Sequence, residues 1–451
     1  MNHLYISIVV SVIFLTACEG DKTYSEHSLL VEFADSLFIT SVDSSLIAGA
    51  SVIVYQNGKM LLDKSYGHAN LELSVQMPDD ASFEIGSVTK QFTAAAILKL
   101  VDKGKLSLDD DFTKYLQFDT KGRTISINQL LNHTSGIPSY TELPEFEDIM
   151  AQSYARDTLL RIVEQHDFLF EPGEAMIYNN SAYFFLGLII EKITERTYEE
   201  YLREEFFDPL GMKNTYYSST SKVIPNRAFG YSYTDSGLSQ KQYIDYTWPY
   251  SAGSLSSTTD DLLVWMRALH EGKVFNEELY NALISPGKLN DGVIIRYAMG
   301  LVNYLNFGHR EIGHGGGIPG FLSATKYFPE EDLYIICLVN TSGPKGAEFF
   351  ADELTWKLLE KYGNDPLEVD IILDSLEGRY TGQIRGQIIS VDIEAQPKSL
   401  IISTEGRSQA DTLDIYLGNN TWGEGNSLIR IDDNVYSRDD IYGYFKLAKE
   451  R

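Results

Sequence analysis

Cysteine is scarce in this chain, two in 451 residues, and that scarcity removes two kinds of protein at once. Cys18 and Cys337 cannot build a disulfide framework or a cysteine metal site. Basic residues are outnumbered as well, 37 Lys and Arg against 64 Asp and Glu, and a net charge of −27 repels nucleic-acid phosphates and anionic headgroups. Nucleic acid is therefore not a partner. No apolar run is long enough for a spanning helix: Leu4 to Ala17, at about 1.5 Å per residue, falls short of a bilayer core of roughly 30 Å. The G-x-S-x-G elbow is missing, so His314-Gly315-Gly316-Gly317 is not the oxyanion loop of an α/β-hydrolase. A zinc site on His309 and His314 lacks a third ligand and an H-x-x-E-type helix. Neither a metal nor any other cofactor is called for.

What is present is an ordinary globular composition, 43% hydrophobic and 22% charged, in a chain long enough for a large domain plus a smaller one. The N-terminal apolar run ends in Leu15-Thr16-Ala17-Cys18, which resembles a bacterial lipobox, although its n-region has no Lys or Arg. The resemblance implies a signal peptide over 1–17 and diacylglycerol on the Cys18 sulfur. The protein is then exported and lipid-anchored in the bacterial cell envelope, on the periplasmic side or in the outer membrane. Cys337, within Leu333-Tyr334-Ile335-Ile336-Cys337-Leu338-Val339, reads as a core thiol.

Past a short polar tether, Ser51 to Gln56 and Lys59 to Ser65 are strand-like and flank Asn57-Gly58, a hairpin turn. A helix starts near Ser87 and stops at Gly104. Helical patterns return at Ala182 to Ile193, Tyr198 to Phe207 and Asp260 to His270. Strands Phe321 to Phe328 and Leu333 to Val339 follow, then an amphipathic helix from Glu348 to Tyr362 ending at Gly363-Asn364-Asp365-Pro366. Strands at both ends with helices between predict an α+β fold, an antiparallel sheet flanked by helices with a helical subdomain, over 18–365. From about Asp374 short alternating runs predict a separate small all-β, barrel-like unit over 374–451, beyond every catalytic motif.

Ser87-Val88-Thr89-Lys90 fits S-x-x-K, as do segments at Ser219, Ser285, Ser323 and Ser342, but only Ser87 opens a helix with a long apolar face. There the serine sits at the positive end of the helix dipole and Lys90 lies one turn on. A serine hydroxyl needs a base, and a buried lysine of lowered pKa is one. The surrounding Phe83-Glu84-Ile85-Gly86-Ser87-Val88-Thr89-Lys90 resembles the penicillin-recognising serine hydrolases related to class C β-lactamases. Leu130-Leu131-Asn132-His133-Thr134-Ser135-Gly136, then Glu171-Pro172-Gly173 before Tyr178-Asn179-Asn180, Ser251-Ala252-Gly253, and His314-Gly315-Gly316 follow in that family's order.

The resemblance implies the corresponding fold and roles. Ser87 forms the acyl-enzyme, Lys90 and Tyr178 move its proton, and Asn180 binds Lys90 and the substrate amide. Gly316 and His314 line the substrate site, and the N–H groups of Ser87 and Gly317 form the oxyanion hole. His314 stands where relatives carry a carboxylate-binding lysine, which argues against strong β-lactamase activity. His133 reads as loop-stabilising. The expected substrates are small molecules or peptidoglycan-derived peptides: D-Ala-D-Ala peptides, D-amino acid amides, short esters or, weakly, β-lactams. The alternative is a non-catalytic penicillin- or peptidoglycan-binding sensor of the same fold. The loops Tyr140 to Ala155 and Ala228 to Tyr250 are expected to shape the cleft. Oligomeric state is left open.

Overall fold

The computed structural model describes residues 20–361, 371–384, 387–424, 427–432 and 434–450. The expected signal peptide, Cys18 and the expected stop at Gly363 to Pro366 lie outside them. No described helix is long and apolar enough to cross a membrane.

Helix α1 (Gly20–Asp43) occupies the stretch expected to be a polar tether. Leu30, Ala34 and Phe38 recur every fourth residue and are buried, a stripe blurred in the sequence by Val31, Phe33 and Leu37 beside it. Phe38 stacks on Tyr66 at 4.7 Å and on Phe350 at 4.4 Å, which closes the helix onto the sheet.

That sheet comprises β1 (Gly49–Gln56), β2 (Lys59–Asn70), β3 (Val75–Gln76), β4 (Val302–Asn306), β5 (His309–Ile318), β6 (Phe321–Phe328) and β7 (Leu333–Val339). Its order is β4-β5-β6-β7-β1-β2-β3, antiparallel throughout. β1 and β7 pair at its middle and are covered on both faces, which is why they read as apolar runs rather than alternating ones. Cys337 lies there, paired across to Val52 and Ala324, and burial pushes its thiol pKa up. It is packing material.

Between β3 and β4 run α2 (Thr89–Asp102), α3 (Asn180–Thr194) and α4 (Thr259–His270). From Thr89 to Leu98 every residue of α2 is buried, so this helix is the central post between the sheet and the helical region. Helix α5 (Ala347–Leu358) covers the other face and ends short of Tyr362, because Leu359 is extended at φ −113° and ψ 141°.

After a helical turn at Leu373–Leu376, the strands between Gly378 and Lys449 form a curled antiparallel sheet. The strands at its two ends, Asp411–Leu413 and Ile415–Gly418, are consecutive in the chain, so the sheet curls nearly closed around Tyr380, Tyr416 and Trp422. The arrangement is the expected α+β domain with a barrel-like all-β unit. The unit has a core of its own and also touches the helical region. Its last strand, Gly443–Lys449, pairs with Met176–Ile177 of the helical region, Gly443 opposite Ile177 and Tyr444 opposite Met176.

Candidate active site

The chain enters the site from the short strand Phe83–Glu84, turns through Gly86 at φ +48°, makes one 3₁₀ turn over Gly86–Val88 and continues into α2. Glycine is required at 86 on two counts. The φ lies in the left-handed region, and a Cβ there would stand 2.8 Å from the Gly317 nitrogen. Ser87 is thus held at the start of the helical post with β5 passing beside it. Gly316 makes that approach possible, since a Cβ on it would press on the Ile85 carbonyl, the Ser323 hydroxyl and, at 3.1 Å, the Ser87 nitrogen. Gly316 therefore serves close packing against the serine turn.

Lys90 is fully buried, and its Nζ has three oxygen neighbours: Asn180 Oδ1 at 2.8 Å, the Ala252 carbonyl at 2.7 Å and Ser87 Oγ at 3.1 Å. Two of these oxygens are pure acceptors. Burial pushes the Lys90 pKa well below the usual lysine range. A neutral amine has two N–H groups and one lone pair, so the pure acceptors take both protons and the lone pair is left for the Ser87 hydroxyl.

Tyr178 is fixed by its backbone neighbours. The Ile177 N–H donates to the His133 carbonyl (3.2 Å), the Tyr178 N–H to the Tyr442 carbonyl (3.2 Å), the Asn179 N–H to His133 Nδ1 (3.1 Å), and the Asn180 N–H to Ser139 Oγ (3.1 Å). The Asn179 side chain caps α3 by accepting from the Ala182 N–H at 2.8 Å, which places Asn180 at the first helical position. His133, at φ +63°, holds this loop; burial pushes its pKa well below the usual imidazole value and keeps its ring neutral. The Tyr178 ring lies 4.8 Å from Lys90 Nζ. Its hydroxyl is sealed from solvent and interacts with Ser87, yet no hydrogen bond to it is formed. Burial pushes this phenol well above its usual pKa, so it keeps its proton.

His314 departs from expectation. Its Nδ1 bonds the Gly315 carbonyl, an acceptor only, so Nε2 accepts from the Tyr297 hydroxyl at 2.8 Å. Burial lowers its pKa to about 3. Both ring nitrogens are spent inside the protein, and His314 offers a substrate carboxylate neither charge nor a free donor. The part it plays is that of a buried spacer between Tyr297 and the Tyr178 ring.

A cleft of about 140 Å³ opens on Ser87. Tyr140, Phe146, Met150, Ile244, Ile318 and Pro319 give it apolar walls, while Thr141, Asn180 and Gly317 add polar edges. Both expected loops contribute. A larger cavity of about 330 Å³ shares none of these residues, and its central charges satisfy one another, Glu84 pairing with Arg227 at 2.9 Å and Lys241 at 2.7 Å. The smaller cleft holds the chemistry.

Ser87, Lys90, Tyr178, Asn180 and Gly317 lie together in space, and the Ala252 carbonyl, Tyr297 and Tyr442 join them without a signal in the sequence motifs. Ser251-Ala252-Gly253 was visible as a motif; its contribution is a backbone atom, which no side-chain pattern encodes. Tyr442 lies in the β unit and has no spacing relation to Tyr178.

The Beta-lactamase family model matches residues 34–360. The chain is 28% identical over 317 residues to Protein flp of Staphylococcus aureus (strain N315), covering 68% of this chain and 62% of that protein. It thus spans less than two thirds of that relative's length. It is 30% identical over 293 residues to the putative penicillin-binding protein PbpX of Bacillus subtilis (strain 168), covering 65% and 70%. Among solved structures, the octameric penicillin-binding protein homologue from Pyrococcus abyssi superposes with a TM-score of 0.65 at 25% identity, over 93% of this chain and 100% of that one.

Proposed function

The chain belongs to the beta-lactamase family of serine hydrolases, and from that premise we propose that it is an exported hydrolase cutting esters or amides through an acyl-enzyme on Ser87. The observation that carries this reading is the placement of Lys90, a buried amine with two fixed acceptors and its lone pair toward Ser87 Oγ. Neutral Lys90 takes the serine proton as Oγ attacks the carbonyl carbon. The carbonyl oxygen becomes an oxyanion held by the N–H groups of Ser87 and Gly317, donors whose positions are set before reaction. Tyr178, a protonated phenol beside Lys90, passes a proton to the leaving oxygen or nitrogen and recovers one from the Lys90 ammonium. Water then attacks the acyl ester by the same route in reverse, releasing the acid and regenerating Ser87.

The cleft supports a choice among substrates. Its walls are apolar and His314 is neutral, so short esters and amides with an apolar acyl group suit it better than substrates bearing a free carboxylate, such as D-Ala-D-Ala peptides and penicillins. Labelling by a fluorophosphonate, paired with ester turnover, tests the reading. Wild type should be labelled and turn over. Ser87→Ala should lose the label with its fold intact, and label retained on that variant would put the nucleophile elsewhere. Labelling without turnover would favour the sensor alternative. The lipobox-like Leu15 to Cys18 supports a lipid anchor in the cell envelope. Cys18→Ser should move the protein to the soluble fraction, and unchanged membrane association would sink the anchor.

A further inference from the structure

We propose that Tyr442, at the tip of the last hairpin of the β unit, is a positioning residue for the hydrolytic site. It grips the Tyr178 segment and strand β5 at once. The proposal rests on the acyl-enzyme reading above.

Three observations meet at this residue. The Tyr442 carbonyl accepts the Tyr178 N–H at 3.2 Å, and its hydroxyl accepts the Gly315 N–H at 3.3 Å. Its ring stands edge-on to the Tyr178 ring at 5.2 Å and lies 5.8 Å from that of His314. One side chain from a second unit therefore sets the distance between the segment that carries the proton-handling phenol and the strand that carries the Gly317 N–H. The hairpin is itself held in place. The Tyr442 N–H donates to Asp440 Oδ1 at 2.8 Å, Gly443 and Tyr444 pair with Ile177 and Met176, Asp439 meets Arg296 at 3.0 Å, and Lys446 pairs with Asp291. Without the hydroxyl, the Gly315 N–H loses its acceptor two residues from the oxyanion donor. Without the ring, Tyr178 loses the wall that stops it rocking away from Ser87. Tyr442 touches neither substrate nor the reacting atoms and acts through both.

The test compares full-length wild type, Tyr442→Phe, Tyr442→Ala and Asp440→Ala with Lys446→Ala, which removes a solvent-exposed ion pair of the hairpin, the weakest of its ties. The readouts are the second-order rate of fluorophosphonate labelling, kcat and KM for a short neutral ester, melting temperature, and amide exchange at Gly315 by mass spectrometry. Tyr442→Phe should slow labelling about tenfold and Tyr442→Ala about 100-fold, the scale of a small misplacement of reacting groups. The loss should fall on kcat, with KM moving less than about twofold, and Gly315 exchange should quicken. Asp440→Ala, which only loosens the turn, should give a smaller loss in the same direction, about threefold, and Lys446→Ala should keep the wild-type rate. Wild-type labelling and unchanged Gly315 exchange in Tyr442→Phe would overturn the proposal. So would an equal loss in Lys446→Ala, because docking alone would then explain it. An unlabelled wild type would instead overturn the acyl-enzyme reading, and the proposal with it.

Discussion

Two lysines are buried among the described residues, and their surroundings drive them in opposite directions. Lys90 is 0% exposed among Asn180, the Ala252 carbonyl and aromatic rings, and burial depresses its pKa. Lys326 is 3% exposed on β6, bonded to Glu311 at 2.8 Å and Asp352 at 2.9 Å with Glu348 at 3.3 Å. Burial pulls its pKa down too, but the carboxylates outweigh it and hold the ammonium well above the usual lysine value. Both sites are dry; what separates them is whether the neighbours are neutral oxygens or charges. The first environment makes a base, the second a structural tie between α5 and the sheet.

The contrast is sharpest when both are replaced by methionine. Lys90→Met should cost at least ~100-fold in labelling rate, the scale of a general base, while Lys326→Met stays within about threefold once folded. A slow Lys326→Met with native stability would break the division. Stability should reverse the order. Lys326→Met leaves Glu311 buried beside an apolar chain and should lose about 3–5 kcal/mol in denaturant titration at pH 7, whereas Lys90→Met at that pH should lie within about 1 kcal/mol of wild type.

The two also have opposite pH signatures. The folded pKa of Lys90 lies below the unfolded value, so between the two the unfolded chain binds more protons and stability rises with pH. Wild type should gain on Lys90→Met by up to about 1.4 kcal/mol per pH unit in that window, which closes near the unfolded lysine value of 10.5. The labelling rate should fall as acid protonates Lys90. For Lys326 the folded pKa is raised, so its contribution is fully present below 10.5 and is lost only as pH climbs through the folded value. A difference between wild type and Lys326→Met that shrinks between pH 7 and 9 would contradict this. The smallest effect is expected at His314. With its pKa near 3, His314→Asn should leave the shape of the pH–rate profile between 5 and 8 unchanged, and a limb that disappears would mean that the imidazole titrates during the reaction.

The sequence made much of this legible because ordered motifs mark where helices start. Ser87 and Lys90 are recognisable from a polar pair opening an apolar helix, and the Asn57-Gly58 hairpin and the β6 and β7 boundaries follow from turn chemistry. The misses share a cause. His314 was read as cleft-facing because its position in the third motif carries no information on which way a ring turns in a glycine-rich strand. The pairing between Met176–Ile177 and a strand near the end of the chain is a long-range event with no local signature, so the contact of the β unit with the Tyr178 segment is not legible in the sequence. Helix α1 gives no clear signal because apolar residues stand on several of its faces, Leu29, Val31, Phe33 and Ile39 among them, so the buried stripe does not stand out.

The pairing of Met176–Ile177 with Gly443–Lys449 also imposes an order in time. During synthesis the Tyr178 segment emerges early and the strand that completes its surroundings emerges late, and contacts so distant in sequence are slow to form. The helical region therefore packs first around an unfinished cleft, and reactivity arrives as a late step of folding. In a refolding experiment the recovery of fluorophosphonate labelling should lag behind the recovery of helical circular dichroism; simultaneous recovery would show that the nascent site needs no such closure.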